Sequence, residues 1–219
     1  MSPDTDAERF TDRLRADSDW TAAVDNRFTQ ELAAGALDDD VFARYLVQDY
    51  AFLDELVSLF GRALSGAPTM VAKGRFASFL GTLTDEENDY FERSFAALDV
   101  PPATYEDPAP TATTAAFRDH LRTAGATGGY AETLAVLVPA EWVYLDWATD
   151  VSERPEPFYL AEWVDLHDND EFAAFVAWMR EELDREGEAL SGRRRERVAR
   201  LFERTVRLEA EFFGAAYDV

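Results

Sequence analysis

The chain has no cysteine and no isoleucine, one lysine (Lys73) and two histidines (His120 and His167) in 219 residues. Without cysteine there is no disulfide, no thiolate metal site and no thiol nucleophile. Alternating Val, Ile and Thr runs are missing as well, so nothing reads as a strand. No apolar run reaches the roughly 20 residues needed to cross a bilayer. The opening residues, MSPDTDAERF, lack the basic and apolar regions of a signal peptide. The expected setting is cytoplasmic, with no membrane partner.

Basic charge is also scarce. Against 44 acidic residues stand 21 basic ones, nearly all arginine, for a net charge of −23. That balance disfavours nucleic acid and anionic membrane surfaces as partners. The acids are dispersed, as in Asp38-Asp39-Asp40 and Asp85-Glu86-Glu87, rather than gathered in a tail. Spread acid with almost no lysine resembles adaptation to high internal salt. Hydrophobic residues at 47%, with 16 phenylalanines and 5 tryptophans, exclude a disordered chain. The length suits a single domain spanning 1–219.

What is present is helical periodicity. Phe10 and Leu14, then Trp20, Val24, Phe28 and Leu32, mark a first helical region stopped by Gly35. Asp38 or Asp39 caps a long helix carrying Phe42, Tyr45, Leu46, Asp49, Phe52, Leu53, Leu56 and Phe60, broken at Gly66-Ala67-Pro68. A further region runs through Phe76, Phe79, Leu83, Phe91 and Phe95, with Thr84–Glu87 resembling a capping box that restarts it. Residues 100–110 hold four prolines and read as a surface loop. Phe117 and Leu121 lie on a helix ending at Gly125, and Gly128-Gly129 leads into the next. After a break near 167–170 come helices through Phe172–Leu183 and, beyond Gly192, Val198–Phe213. The pattern predicts one all-α helical bundle of about eight helices.

The stretch Leu134–Ala148, LAVLVPAEWVYLDWA, is too apolar for a surface helix and carries Pro139 and Glu141 in its middle. Proline there frees a backbone carbonyl, and an ionisable group beside it is costly unless used. Two more acids interrupt apolar faces: Asp49 among Tyr45, Phe52 and Leu56, and Glu209 among Phe202, Val206, Phe212 and Phe213. Each alone fits an arginine partner or a backbone cap. Three acids on three bulky helices, with aromatics around them, favour a ligand pocket. The expectation is that they converge on one closed chamber sized for a flat heterocycle.

A carboxylate di-metal centre needs Glu-x-x-His pairs; positions 117 and 164 are Phe and Val, so no metal is expected. Haem is disfavoured because neither histidine reads as clearly buried. No phosphate loop, dinucleotide motif or serine elbow occurs. Acid–base chemistry by carboxylates on a ligand held among aromatics remains, with no cofactor.

Three stretches resemble the TenA/thiaminase II family, which has an all-α, haem-oxygenase-like fold. They are FARYLVQDYAFL at 42–53, VPAEWVY at 138–144, and EAEFF at 209–213, in the family's order. The resemblance implies that Asp49 binds the amine and adjacent ring nitrogen of an aminopyrimidine, and that Glu209 protonates the opposite ring nitrogen. It implies that Tyr144 positions the reacting groups, with Phe212 and Phe117 stacking near the ring. Phe52 and His167 take slots where tyrosine is common. Ala140 stands where thiaminase II members have their cysteine; Glu141 beside it resembles a subclass using glutamate instead. The implied activity is hydrolysis of aminomethylpyrimidine or its N-formyl derivative to hydroxymethylpyrimidine, in thiamin salvage, by a dimer or tetramer. Two other readings stay open: a non-catalytic pyrimidine binder or regulator, and a pocketless scaffold.

The dispersed charge generates a direct test. In a melting series in potassium chloride, stability should rise toward molar salt; a maximum at low salt would contradict the salt-adapted reading.

Overall fold

Helical periodicity becomes helix along the chain. In the computed structural model, which describes residues 8–218, there are twelve helical segments and, among the described residues, no strand. They are α1 (Phe10–Ala16), α2 (Trp20–Val24), α3 (Arg27–Ala33), α4 (Asp39–Gly66), α5 (Met70–Thr84), α6 (Glu86–Ala97), α7 (Pro102–Tyr105), α8 (Ala112–Thr127), α9 (Tyr130–Thr149), α10 (Phe158–His167), α11 (Asp170–Ala189) and α12 (Gly192–Ala215). None is long and apolar enough to cross a membrane. The number exceeds eight because the first region is cut into three pieces. The proline-rich loop also folds one turn, α7, with Pro102 in its first turn, where a missing N–H costs nothing.

N-cap side chains close the starts of α3, α4, α5, α8 and α11. Asn26 accepts hydrogen bonds from the N–H groups of Phe28 and Thr29 (3.0 and 3.2 Å), and Thr29 Oγ1 accepts from the Asn26 N–H. Asp38, Thr69, Thr111 and Asn169 cap α4, α5, α8 and α11 in the same way. Gly35, at φ +63°, ends α3 as expected, with the Ala36 N–H donating to the Glu31 carbonyl at 2.8 Å. The only lysine closes α4: Lys73 Nζ donates to the carbonyls of Leu64 and Ser65, both at 2.8 Å.

Two local expectations fail for identifiable reasons. Thr84 does not cap α6. Its hydroxyl donates back to the Leu80 carbonyl at 2.8 Å, so the restart at Glu86 has no side-chain cap. Gly125 does not end α8, which continues to Thr127. A Cβ on Gly125 would lie 3.2 Å from Leu59 Cδ1, so that glycine serves the close approach of α8 to α4.

The chain packs around α9, whose residues 131–144 are all buried. Its most extensive neighbours are α12 and α11, with α4, α8, α10 and α2 completing the surround. A helix apolar on every side must be enclosed in this way. Its entry is fixed by Glu132, which accepts from the Gly129 N–H at 2.9 Å while holding Arg194 at 2.8 Å. A Cβ on Gly128 would meet Glu132 Cβ at 2.5 Å and the Ala124 carbonyl oxygen at 2.6 Å. Gly128→Ala should therefore cost about 1–3 kcal/mol, the usual range for overpacking, read as a lower denaturation midpoint with an unchanged m-value.

Candidate active site

Six acidic residues are buried in this helical core: Asp49, Glu55, Glu132, Glu141, Glu182 and Glu209. Burying a carboxylate is expensive unless it is paired. Three of the six are. Glu55 is held by Arg118 (2.9 Å to each oxygen) and Arg122, Glu132 by Arg194, and Glu182 by Tyr130 (3.0 Å) and Arg185. Asp49, Glu141 and Glu209 have no hydrogen bond or ion pair among the described residues. Glu209 is only 1% exposed, with both carboxylate oxygens buried and unpartnered.

These three unpaired acids line one cavity of about 980 Å3. Asp49 comes from the middle of α4, Glu141 from α9 two residues after Pro139, and Glu209 from α12. Phe52, Ala140, Tyr144, Trp163 and His167 line the same space. The chamber is not closed. Its wall continues outward along α5, α6, α10 and α11 to exposed residues such as Glu86, Asp89 and Glu171, forming a mouth between those helices.

Burial holds all three carboxyls well above their ordinary range, and mutual repulsion adds to it. After burial, Glu87 pushes Asp49 up, Glu87 and Asp49 push Glu141 up, and Asp49 and Glu141 push Glu209 up. Burial likewise keeps Tyr144 and Tyr45 protonated, and their hydroxyls share a hydrogen bond of 2.7 Å. Carboxyls that retain protons can donate to a ligand as well as accept from it.

His167 lies on a buried face, as does His120, contrary to the expectation for both. Its Nδ1 is 2.8 Å from the Trp163 carbonyl oxygen. A carbonyl only accepts, so Nδ1 carries the proton, and burial lowers the ring pKa to about 4. His167 is thus neutral, with Nε2 left as an acceptor. His120 sits apart, bonded to Thr205 Oγ1 at 3.0 Å. No cluster of three or more His, Asp or Glu able to hold a metal occurs among the described residues.

Two of the expected contact residues lie outside this cavity's lining. Phe117 stacks on Phe52 at 5.3 Å between ring centroids, and Phe212 meets Phe52 edge-on at 5.6 Å. They back the wall that Phe52 presents. The structure adds Trp163, whose indole N–H is buried without a partner, and Glu87, half-buried in the first turn of α6. Burial raises Glu87 to about 8. In sequence Glu87 is one of several acids at a helix start, and nothing in its spacing marks it as inward-facing.

Acids on α4, α9 and α12 facing a common cleft agree with a match of residues 15–219 to the TENA/THI-4/PQQC family. The chain belongs to that family. Among its TenA-type relatives, the aminopyrimidine aminohydrolase of Halalkalibacterium halodurans is 27% identical over 91% of this chain and 90% of its own. The enzyme of the same name from Helicobacter pylori is 25% identical over 93% and 95%. A TenA homologue from Pyrococcus horikoshii superposes with a TM-score of 0.84 at 21% identity, covering 95% of this chain and 98% of the other. A Shewanella denitrificans domain with a heme oxygenase-like fold gives 0.65 at 16% identity over 94% and 90%. The TenA-type, haem-oxygenase-like fold is thereby established.

The unpaired acids should leave a thermodynamic signature. An acid whose pKa is higher folded than unfolded keeps its proton when the unfolded chain has released it. Stability therefore falls as pH rises from about 4.5 toward the raised value. Glu209→Gln should stabilise the protein at pH 7, by on the order of 1 kcal/mol for each pH unit above about 4.5 over which the buried acid stays protonated, read as a higher melting temperature, and the gain should vanish near pH 4. Equal melting curves at both pH values would mean that Glu209 is solvated.

Proposed function

We propose that the chain is a thiamin-salvage hydrolase that converts 4-amino-5-aminomethyl-2-methylpyrimidine, or its N-formyl derivative, to hydroxymethylpyrimidine. One observation carries the reading: three buried carboxyls without partners line a single cleft, in a chain whose relatives bear the name aminopyrimidine aminohydrolase. A protonated carboxyl matches the edge of an aminopyrimidine. Its carbonyl oxygen accepts from the exocyclic amine while its O–H donates to the adjacent ring nitrogen, and Asp49 takes that role. Phe52 and the rings behind it supply a flat wall.

Glu209 donates to the opposite ring nitrogen and draws electron density from the ring. Glu141 takes a proton from water. The water oxygen bonds to the methylene carbon as its C–N bond breaks, and Glu141 passes the proton to the departing nitrogen. Acid and base coexist because like charges in one cleft do not all ionise near neutrality. Tyr144, tied to Tyr45, orients the reacting groups, and His167 offers Nε2 as a neutral acceptor. Phe117 and Phe212 act through Phe52.

Ala140 provides no thiol, so a covalent thiolate route is closed. That same residue favours the alternative of a non-catalytic pyrimidine-binding or regulatory protein. The two readings separate in one assay. Purified protein given aminomethylpyrimidine should release ammonia, and Glu141→Gln should lower kcat by roughly 100-fold or more, the scale of general acid–base catalysis. Tight binding without ammonia would establish the binder; full activity in Glu141→Gln would remove the assigned base.

A further inference from the structure

The cleft's fourth inward acid, Glu87, has no role in the chemistry above. It sits at the second residue of α6, half-buried, on the wall shared with Asp49, Glu141 and Glu209. No ion pair or hydrogen bond reaches it among the described residues. The guanidiniums at the mouth are engaged elsewhere: Arg93 holds Asp89 and Glu162, each at 2.7 Å, and Arg75 lies over the Trp178 ring at 5.1 Å. Glu162, on α10, is therefore already neutralised, whereas Glu87 is not.

The cleft thus collects carboxyls from α4, α6, α9 and α12, and no ion pair reaches any of these four among the described residues. Glu209, buried with both oxygens unpartnered, opens onto the same space and marks it as built for an occupant. A cationic occupant would satisfy this arrangement, because a positive charge among several carboxyls lets more of them ionise and turns repulsion into attraction.

We propose that Glu87, on the cleft wall shared with Asp49 and Glu141, forms a cation subsite that takes the ammonium substituent of the substrate, and that Glu87 is a specificity-determining residue. The identification of the ligand as an aminopyrimidine rests on the preceding reading. A primary alkylamine is protonated at neutral pH, whereas an N-formyl amide and the product alcohol are uncharged. The subsite therefore selects the free amine over its formylated form. It also loses its hold once the amine has become an alcohol, which favours product release.

Two ligand pairs test this by titration calorimetry on the full chain at pH 7 and fixed salt. The first is the 4-amino-2-methylpyrimidine carrying a 5-(2-aminoethyl) or a 5-(2-hydroxyethyl) group, in which the added methylene prevents turnover. The second is benzylamine with benzyl alcohol, which lack the pyrimidine edge. The wild type should prefer the ammonium member by roughly tenfold or more. Glu87→Gln should bring the two members to similar affinity by weakening the amine alone, while Glu92→Gln, on an exposed part of the same helix, should keep the preference.

Equal binding of amine and alcohol by the wild type would overturn the subsite, as would equal weakening of both by Glu87→Gln. A Glu87-dependent preference within the benzyl pair, with no binding of either pyrimidine, would support the subsite and refute the pyrimidine reading. Failure of both pairs to show the preference would refute the subsite itself.

Discussion

The structure turns on the cost of keeping ionisable carboxyls away from water. Glu55, Glu132 and Glu182 meet that cost with arginine or tyrosine partners, and each lies where helices are clamped together. Asp49, Glu141 and Glu209 do not, and their helices all face the same cleft. The fold supplies arginines to some buried acids and withholds them from others, and the ones it leaves unpaired share one cleft. Buried acids without partners cost stability, a common trade at sites that must bind or react.

That arrangement depends on α9. Enclosure on all sides fixes Glu141 and Tyr144 in a helix that has little freedom to turn away from its neighbours. The surrounding helices are themselves tied by aromatic contacts. Tyr45 packs edge-on against Trp163 and Phe212, and Trp163 stacks against Tyr90 at 5.2 Å. A rigid aromatic frame is what allows carboxyls from distant parts of the chain to stay close despite their repulsion.

Much of this was legible along the chain. Helix class, most boundaries, and the inward direction of Asp49, Glu141 and Glu209 follow from periodicity, because one polar position on an otherwise apolar stripe has only one direction to face. Periodicity failed where its signal is shared. Glu55, Glu132 and Glu182 were not separable from surface acids, because their arginine partners come from other helices or lie out of phase with the apolar pattern. Thr84 offered a cap-like pattern, but its hydroxyl found a carbonyl one turn back instead. Gly125 carried a stop signal that close helix packing overrode.

The sequence by itself determined an all-α chain, the three acids that must be buried, and the absence of a thiol at position 140, since these depend on residue identity and local spacing alone. Only the tertiary structure decided which buried acids lack partners, that Glu87 joins them, and that Phe117 and Phe212 stand behind Phe52. It also decided that the cleft opens between α5, α6, α10 and α11. Those facts depend on distances between helices remote in the chain, and helical periodicity constrains which face is inward without saying what it faces.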